Sequence, residues 1–372
     1  MLLGLLLAPR MLWERQPWRD LKVLIIDKSV PDTSYREHMA LIWVLNHLKI
    51  TAPDGAPIWD PARHYLGFHP PVEDPALYPL VRDQRITPEA LKGNALVCLT
   101  DSYGVYQQDL QIARPENTAS PDYSPRLTGG LDAAEVTALQ HYVQAGGALW
   151  GEFNTFASPT AAAERQALEQ LFGVRWTGWT GRYFDELAQE QEIPAWARRL
   201  WQAQRGQAWA FEGPGWLLVH EDNRLQVLRE GQEIVPQGLK IRHDQSHPLL
   251  QQAQDSVPFY YWFDILTADP SAQVLAEYEM TLLPPGQTIF EQAGLPQRFP
   301  ALIMASASPL RLYFAGDASD LAPAPERFRL AGLGPWHRFG RRYDSQTEQR
   351  AFFWSFYQPL WVNILAQLKP LP

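Results

Sequence analysis

The sequence predicts an α/β protein with a doubly wound, mostly parallel sheet of the flavodoxin-like kind, an antiparallel β-rich insertion and a C-terminal packing helix. Two observations support this fold class. In the first half of the chain, short apolar runs rich in β-branched residues alternate with amphipathic helical segments, which is typical of parallel strands covered on both faces. In the second half, short strand-like runs follow one another with turn residues between them, which indicates antiparallel pairing.

The pattern divides the 372 residues into four segments: an apolar arm or anchor remnant over 1–20, the α/β core over 21–177, the β-rich insertion over 178–299, and the return strands with the closing helix over 300–372. The apolar run Leu2–Ala8 is much shorter than the roughly 20 residues that span a bilayer, and it lacks the features of a signal peptide. We expect either a frayed arm or the end of a membrane tether. A tether would place the protein in the bacterial cell envelope; otherwise we expect it in the cytoplasm.

The first unit of the core is a strand over Lys22–Ile26, ending at Asp27, followed by a helix over about Ser34–Leu48. The apolar run of the strand predicts burial on both faces. The helix carries apolar residues at near-helical spacing, and Ser34 followed by Glu37 predicts a capping box at its start.

Two further units repeat this order. A short helix near Pro88–Lys92 precedes a strand over Ala95–Thr100, and a helix over Asp132–Gln144 precedes a strand over Ala148–Gly151. A helix over Ala161–Phe172 follows. This alternation of strand and helix predicts a doubly wound sheet.

The β-rich insertion contains one amphipathic helix, about Ala195–Gln204, and five strand-like runs: Trp216–His220, Arg224–Leu228, Leu239–Arg242, Tyr260–Leu266 and Gln273–Glu279. Beyond it, Ala301–Ala305 and Leu310–Ala315 predict a hairpin. A closing helix over about Glu348–Leu368 carries an apolar stripe, which indicates packing against the core.

The composition excludes several classes of function. A net charge of −9 and a pI near 5.5 argue against nucleic acid as a partner. Cys98 is the only cysteine, so the chain forms no intramolecular disulfide and no cysteine-based zinc site. Phosphate-binding glycine motifs and the G-x-S-x-G elbow are absent, and we expect no cofactor and no metal. The 15 Trp, 14 Tyr and 16 Phe supply flat apolar faces on which sugar rings can stack.

Polar side chains follow three of the predicted strands. In a parallel sheet with right-handed crossovers, the carboxyl ends of these strands meet at one edge, where ligands bind. The residues at these ends are Asp27, Lys28, Asp101, Tyr103, Glu152 and Asn154.

Asp101 and Glu152 are candidates for a catalytic pair acting on a glycosidic bond, as acid and base or as acid and nucleophile. His38 is the candidate proton shuttle, and Arg36 could clamp an anionic or hydroxylated ligand. The candidates for ligand binding are Asp27, Lys28, Arg36, Tyr103 and Asn154. The alternative is that the carboxylates only accept hydrogen bonds from nearby backbone groups.

With these residues identified, the chain resembles the class I glutamine amidotransferase-like superfamily, in particular its ThuA-like and carbohydrate-associated members. The resemblance rests on the segments KVLIIDKSVPD, ALVCLTDSYGVY, LQHYVQAGGALWGEFNTF and RLYFAGDASD. It covers about Leu21–Phe172 and Ala301–Asp317, and it implies a fold and a site location. In true amidotransferases a nucleophilic cysteine follows the Gly-Gly turn and its strand. Here Glu152 and its neighbours stand in that region and Cys98 lies inside the preceding strand, so glutamine hydrolysis by that triad is not expected.

Three functions remain open. The first is a catalytically degenerate domain that binds a carbohydrate or another small molecule in the cell envelope. The second is a carboxylate-dependent hydrolase acting on a glycan. The third is a non-enzymatic interaction subunit that docks through the β-rich insertion, with an unknown protein partner.

Overall fold

The computed structural model describes residues 2–70, 84–107, 109, 125–156, 159–189, 193–320, 328–335 and 349–370. Within these ranges the strands form one sheet of nine strands and one of four, with helices packed against them. The predicted α/β class with an antiparallel component is confirmed.

The strands are β1 (Val23–Asp27), β2 (Leu66–Gly67), β3 (Leu96–Asp101), β4 (Ala148–Gly151), β5 (Val174–Phe184), β6 (Gly215–His220), β7 (Leu225–Arg229), β8 (Ile234–Arg242), β9 (Ser256–Pro258), β10 (Phe263–Ala268), β11 (Gln273–Leu282), β12 (Arg298–Ala307) and β13 (Leu310–Phe314). The large sheet has the order β2-β1-β3-β4-β13-β12-β11-β8-β9. Its first five strands are parallel, and the pairings from β13 to β9 are antiparallel. The small sheet, β10-β5-β6-β7, is antiparallel.

The helices are α1 (Leu2–Glu14), α2 (Met39–His47), α3 (Pro88–Leu91), α4 (Ala133–Gln144), α5 (Ala162–Phe172), α6 (Ala195–Arg205), α7 (Pro284–Ala293), α8 (Gln349–Phe352) and α9 (Gln358–Gln367). A π-helical turn over Phe353–Tyr357 joins α8 to α9. Among the helices in the described ranges, none has the length and apolar character needed to span a bilayer.

The start of α2 differs from the prediction. The backbone of Tyr35 is left-handed, with φ of 48°, and the Asp32 side chain accepts a hydrogen bond from the Ser34 backbone N–H. This local turn prevents a helix from starting at Ser34, so α2 begins at Met39 after a short 3₁₀ turn and the predicted capping box is wrong. The box exists instead at α4, where Asp132 and Glu135 cap each other's backbone groups.

Strands from the predicted β-rich insertion divide between the two sheets. β6, β7 and β10 join β5 in the small sheet, whereas β8, β9 and β11 extend the large one. Neither β5 nor α7 was predicted, because glycines interrupt the apolar pattern of β5 and two prolines open α7. The apolar stripe of the closing helix is buried, as predicted: Phe352, Phe353, Phe356, Tyr357, Leu360, Trp361 and Ile364 are all in the core.

Candidate functional site

The carboxyl ends of the neighbouring strands β1, β3, β4 and β13 form one side of the large sheet, which we call the carboxyl edge. Hydrogen bonds join these strand ends directly. The Ser29 hydroxyl after β1 donates to Asp101 Oδ1 at 2.6 Å, and Asn154 Nδ2 after β4 donates to Asp101 Oδ2 at 3.2 Å. The three predicted strand ends therefore meet, with the Asp101 carboxylate between them.

Asp101 is partly exposed. Its Oδ1 also accepts the backbone N–H of Tyr103 at 2.6 Å. Burial raises the pKa of Asp101 to about 7, and hydrogen bonds from Ser29, Tyr103 and Asn154 limit that rise. The backbone of Asn154 is left-handed, with φ of 64°, a conformation that asparagine tolerates better than most residues.

Asp27 and His38 form a pair from which solvent is excluded. Asp27 Oδ2 lies 2.6 Å from His38 Nδ1, and both side chains are 0% exposed. His38 Nε2 lies 2.9 Å from the Pro61 carbonyl oxygen, which can only accept, so Nε2 carries a proton. Both ring nitrogens are thus engaged inside the protein, and neither is free to exchange a proton with a ligand.

Glu152 is fully enclosed. Its Oε1 accepts from Trp150 Nε1 at 2.8 Å and from the hydroxyls of Ser319 and Tyr357, each at 2.9 Å. Its Oε2 accepts the Ser319 backbone N–H at 3.2 Å. Burial raises the pKa of Glu152 to about 7 against these hydrogen bonds. The carboxylate lies below the carboxyl edge and has no surface exposed to a ligand.

Lys28 turns away from the other candidates. Its Nζ donates to Glu135 Oε1 at 2.7 Å and to the Gly130 carbonyl oxygen at 3.1 Å, and the side chain is buried. It borders a separate cleft of about 390 Å³, whose charged lining residues are Lys28, Arg85, Arg126, Asp132, Glu135 and Glu164. The charge of Lys28 is therefore neutralised by Glu135 within the fold.

Four residues at the carboxyl edge were not among the candidates from the sequence: Glu37, Tyr261, Asp317 and Asp320. The Tyr261 hydroxyl donates to Asp320 Oδ2 at 2.6 Å, and Arg36 Nε lies 3.6 Å from the same oxygen. Applying the strand-end rule to the predicted strand before Gly316 would have identified Asp317. Glu37 and Tyr261 carry no comparable local signal.

Asp317 and Trp262 bring the end of β13 close to the segment before β10. The Asp317 backbone N–H donates to the Trp262 carbonyl oxygen at 3.0 Å, and the Trp262 ring stacks on Phe153 with centroids 5.8 Å apart. Asp317 is partly exposed. Burial, together with the negative charges of Asp320 and Asp101, holds its pKa well above the usual range.

Two large side chains at this edge face solvent. Tyr103 is 43% exposed, and its ring lies 5.1 Å from that of Tyr106. The Arg36 side chain is 61% exposed. Asp101, Asn154 and Asp317 at the same edge are partly exposed.

The structure thus brings Asp27, Arg36, His38, Asp101, Tyr103, Glu152 and Asn154 to one edge, with Lys28 facing elsewhere. The partly exposed Asp101 and Asn154 can form hydrogen bonds, whereas Glu152 and His38 are fully buried. Considering only residues that the structure describes, no three His, Cys, Asp or Glu side chains are grouped so as to hold a metal ion.

Comparisons with known proteins add a distant structural likeness. No family model matches the chain, and no curated protein matches it. It is similar to a ThuA-like protein from Bacteroides uniformis ATCC 8492, with a TM-score of 0.38, 10% identity and coverage of 84% of this chain and 89% of that one. It is also similar to a ThuA-like protein from Parabacteroides merdae ATCC 43184 (TM-score 0.35, 10% identity, 80% and 79% coverage). A cytoplasmic protein from Salmonella typhimurium LT2 gives a TM-score of 0.38 with 14% identity and 91% and 98% coverage. At these TM-scores the likeness assigns the chain to no family.

Proposed function

We propose that the carboxyl edge binds a neutral, polyhydroxylated ligand such as an oligosaccharide, and that Asp101 and Glu152 do not hydrolyse it as a pair. One contrast carries the proposal. Glu152 is enclosed by four hydrogen bonds, whereas the Tyr103 ring and the Arg36 guanidinium at the same edge are exposed. A flat aromatic face beside a few convergent polar groups suits a ligand that has apolar ring faces and many hydroxyls.

The charges of the described residues favour a neutral ligand over an anionic one. Acidic side chains dominate the edge: Asp27, Glu37, Asp101, Glu152, Asp317 and Asp320. Arg36 lies among them, His38 is paired with Asp27, and Lys28 is neutralised by Glu135. A phosphate or carboxylate ligand would therefore find no uncompensated cation among these groups, while sugar hydroxyls can exchange hydrogen bonds with carboxyl groups in either protonation state.

A glycan hydrolase is the second candidate, because one observation favours it. Burial raises the pKa of the partly exposed Asp101 to about 7, which suits a general acid near neutral pH. Its partner would be the partly exposed Asp317 rather than the enclosed Glu152. Release of reducing ends from an oligosaccharide, lost in Asp101→Asn, would establish this activity.

We also infer that the chain is a degenerate amidotransferase-like domain. The order β2-β1-β3-β4-β13 among the parallel strands supports a flavodoxin-like arrangement, whose switch point would lie between β1 and β3, where Ser29 meets Asp101. The chain has Glu152 after β4 and a buried Cys98 inside β3, which fits the loss of the nucleophile.

A location in the cell envelope, with α1 as a tether, is part of this proposal and is tested by fractionating cells. Docking of a protein partner through the β-rich insertion remains a prediction, which light scattering and pull-down experiments would test.

The binding proposal is tested by titrating the protein with the neutral oligomers maltohexaose, cellohexaose, xylohexaose and chitohexaose, with oligogalacturonate as the anionic comparison. We expect saturable binding of at least one neutral oligomer, no binding of oligogalacturonate, and no cleavage products. Glu152→Gln should bind equally well. Absence of binding to every neutral oligomer would contradict the proposal, and cleavage would favour the hydrolase.

A further inference from the structure

We propose that Tyr35 gives the carboxyl edge a second stacking face beside that of Tyr103, so that the edge binds a chain of several sugar rings rather than a single sugar. This inference rests on the proposed function and adds the size of its ligand. Tyr35 lies in the loop after β1. The Gly104 backbone N–H donates to the Ser29 hydroxyl at 2.8 Å, which joins this loop to the one that carries Tyr103.

The backbone of Tyr35 is in the left-handed region, with φ of 48° and ψ of 32°. Glycine and asparagine tolerate this conformation, whereas a bulky aromatic residue rarely adopts it. Where a protein keeps such a conformation, the surrounding structure must hold it in place, and these sites cluster where ligands bind. A tyrosine in this conformation therefore points to a use for its ring.

The segments on both sides of Tyr35 hold its backbone in place. Before it, Asp32 Oδ1 accepts the Ser34 backbone N–H at 2.8 Å and closes a local turn. After it, the 3₁₀ turn ends at His38, whose Nδ1 lies 2.6 Å from Asp27 Oδ2 inside the fold. The position of the Tyr35 ring is thus set before a ligand arrives, which lowers the entropy lost on binding.

The ring of Tyr35 packs against the core and is partly exposed. Its centroid lies 6.3 Å from that of Tyr65 and 6.5 Å from that of His38, with interplanar angles of 57° and 40°. Neither of these rings stacks face to face on it. The next residue is Arg36, whose side chain is 61% exposed. An aromatic face held against the core, with a guanidinium at the next position, suits a sugar ring and its hydroxyls.

The two stacking faces lie on opposite sides of β1. The Tyr35 ring lies beside Tyr65, which directly precedes β2, whereas Tyr103 follows β3, and the order of these strands is β2-β1-β3. Neighbouring strands are about 4.8 Å apart, so β2 and β3 are separated by about 10 Å. This separation exceeds the width of one sugar ring. A ligand that contacts both faces must therefore be a chain, and its affinity should rise with chain length.

The test compares Tyr35→Gly, which removes the ring and fits the left-handed backbone, with Tyr35→Phe, which keeps the ring. Whichever neutral hexaose binds the wild type should bind at least about tenfold more tightly than the disaccharide of the same sugar. Tyr35→Gly should weaken hexaose binding about fivefold, whereas Tyr35→Phe should keep the Kd within about twofold. Trp18→Ala, outside the carboxyl edge, is the control and should bind as the wild type does. Equal affinity for the disaccharide and the hexaose, or equal losses in the Gly and Phe variants, would overturn the proposal.

Urea denaturation tests the backbone of Tyr35 without any ligand. Because glycine accepts a positive φ and alanine does not, Tyr35→Gly should unfold at a higher urea concentration than Tyr35→Ala. The reverse order would contradict the left-handed conformation on which the inference depends. Failure of every hexaose to bind the wild type would refute the proposed function and this inference together. Hexaose binding that is unchanged in Tyr35→Gly would refute this inference alone.

Discussion

The Tyr357 hydroxyl donates to Glu152 Oε1 at 2.9 Å, and through this contact the C-terminal helical segment closes the end of β4. The Glu152 carboxylate, which follows β4, therefore accepts hydrogen bonds that hold the fold together beneath the carboxyl edge. Three of its four hydrogen bonds come from residues far along the chain, two from Ser319 and one from Tyr357.

Glu152→Ala should lower the free energy of unfolding by about 3 kcal/mol, because it leaves the buried donors of Trp150, Ser319 and Tyr357 without an acceptor. Denaturation with urea would measure this loss. Glu152→Gln, which keeps one acceptor oxygen, should lose less. Unchanged stability together with lost ligand binding would contradict the structural role.

Stability should fall as pH rises from about 5 to 8. Burial raises the pKa values of Asp101, Glu152 and Asp264, a buried residue of β10, to about 7 in the folded protein, while carboxyl groups of an unfolded chain titrate near about 4. Between these values the folded state binds more protons, so the free energy of unfolding decreases with increasing pH. Urea denaturation across this pH range tests the sign of the change in the free energy of unfolding. In Glu152→Gln this free energy should change less steeply with pH. A slope that is the same in the wild type and in Glu152→Gln would refute the assignment.

His38→Ala should destabilise the protein by about 3–5 kcal/mol, since it leaves the buried Asp27 carboxylate without its partner. The double variant Asp27→Asn with His38→Ala should lose less than the sum of the two single variants, because it removes the unpaired charge. His141→Ala, at an exposed position, serves as the control and should have little effect. Strict additivity at the buried pair would count against this interpretation.

Lys28→Met should reduce stability by about 3–5 kcal/mol because it leaves Glu135 buried without its cation. Ligand affinity of the folded protein should stay the same, since Lys28 faces the cleft beside Glu135 rather than the carboxyl edge. Lys92→Met, at an exposed position, is the matched control. A loss of ligand affinity in Lys28→Met at unchanged stability would contradict this prediction and indicate that Lys28 binds the ligand.

Local sequence patterns predicted the strands that build the site. The apolar runs located β1, β3 and β4 to within one residue, and the rule for parallel strand ends predicted that Asp27, Asp101 and Asn154 would come together. These features depend on short-range periodicity and on chain topology, which a sequence displays directly.

The direction and the solvent exposure of each side chain depend on partners far along the chain, so local patterns could not predict them. Lys28 is turned by Glu135, 107 residues later, and Glu152 is enclosed by Ser319 and Tyr357, 167 and 205 residues later. A local pattern identifies the residue at a strand end but not the element that packs over it.

The Kd of the neutral oligomer for three proteins tests the central claim most directly: the wild type, Tyr103→Ala at the carboxyl edge, and Trp18→Ala at a comparably exposed aromatic (43% and 38% exposed) before β1. Loss of one stacking face should weaken binding by about 1 kcal/mol or more in Tyr103→Ala, a change of several-fold in Kd, with no change in Trp18→Ala. Equal affinity in all three proteins, or a loss confined to Trp18→Ala, would contradict ligand binding at the carboxyl edge.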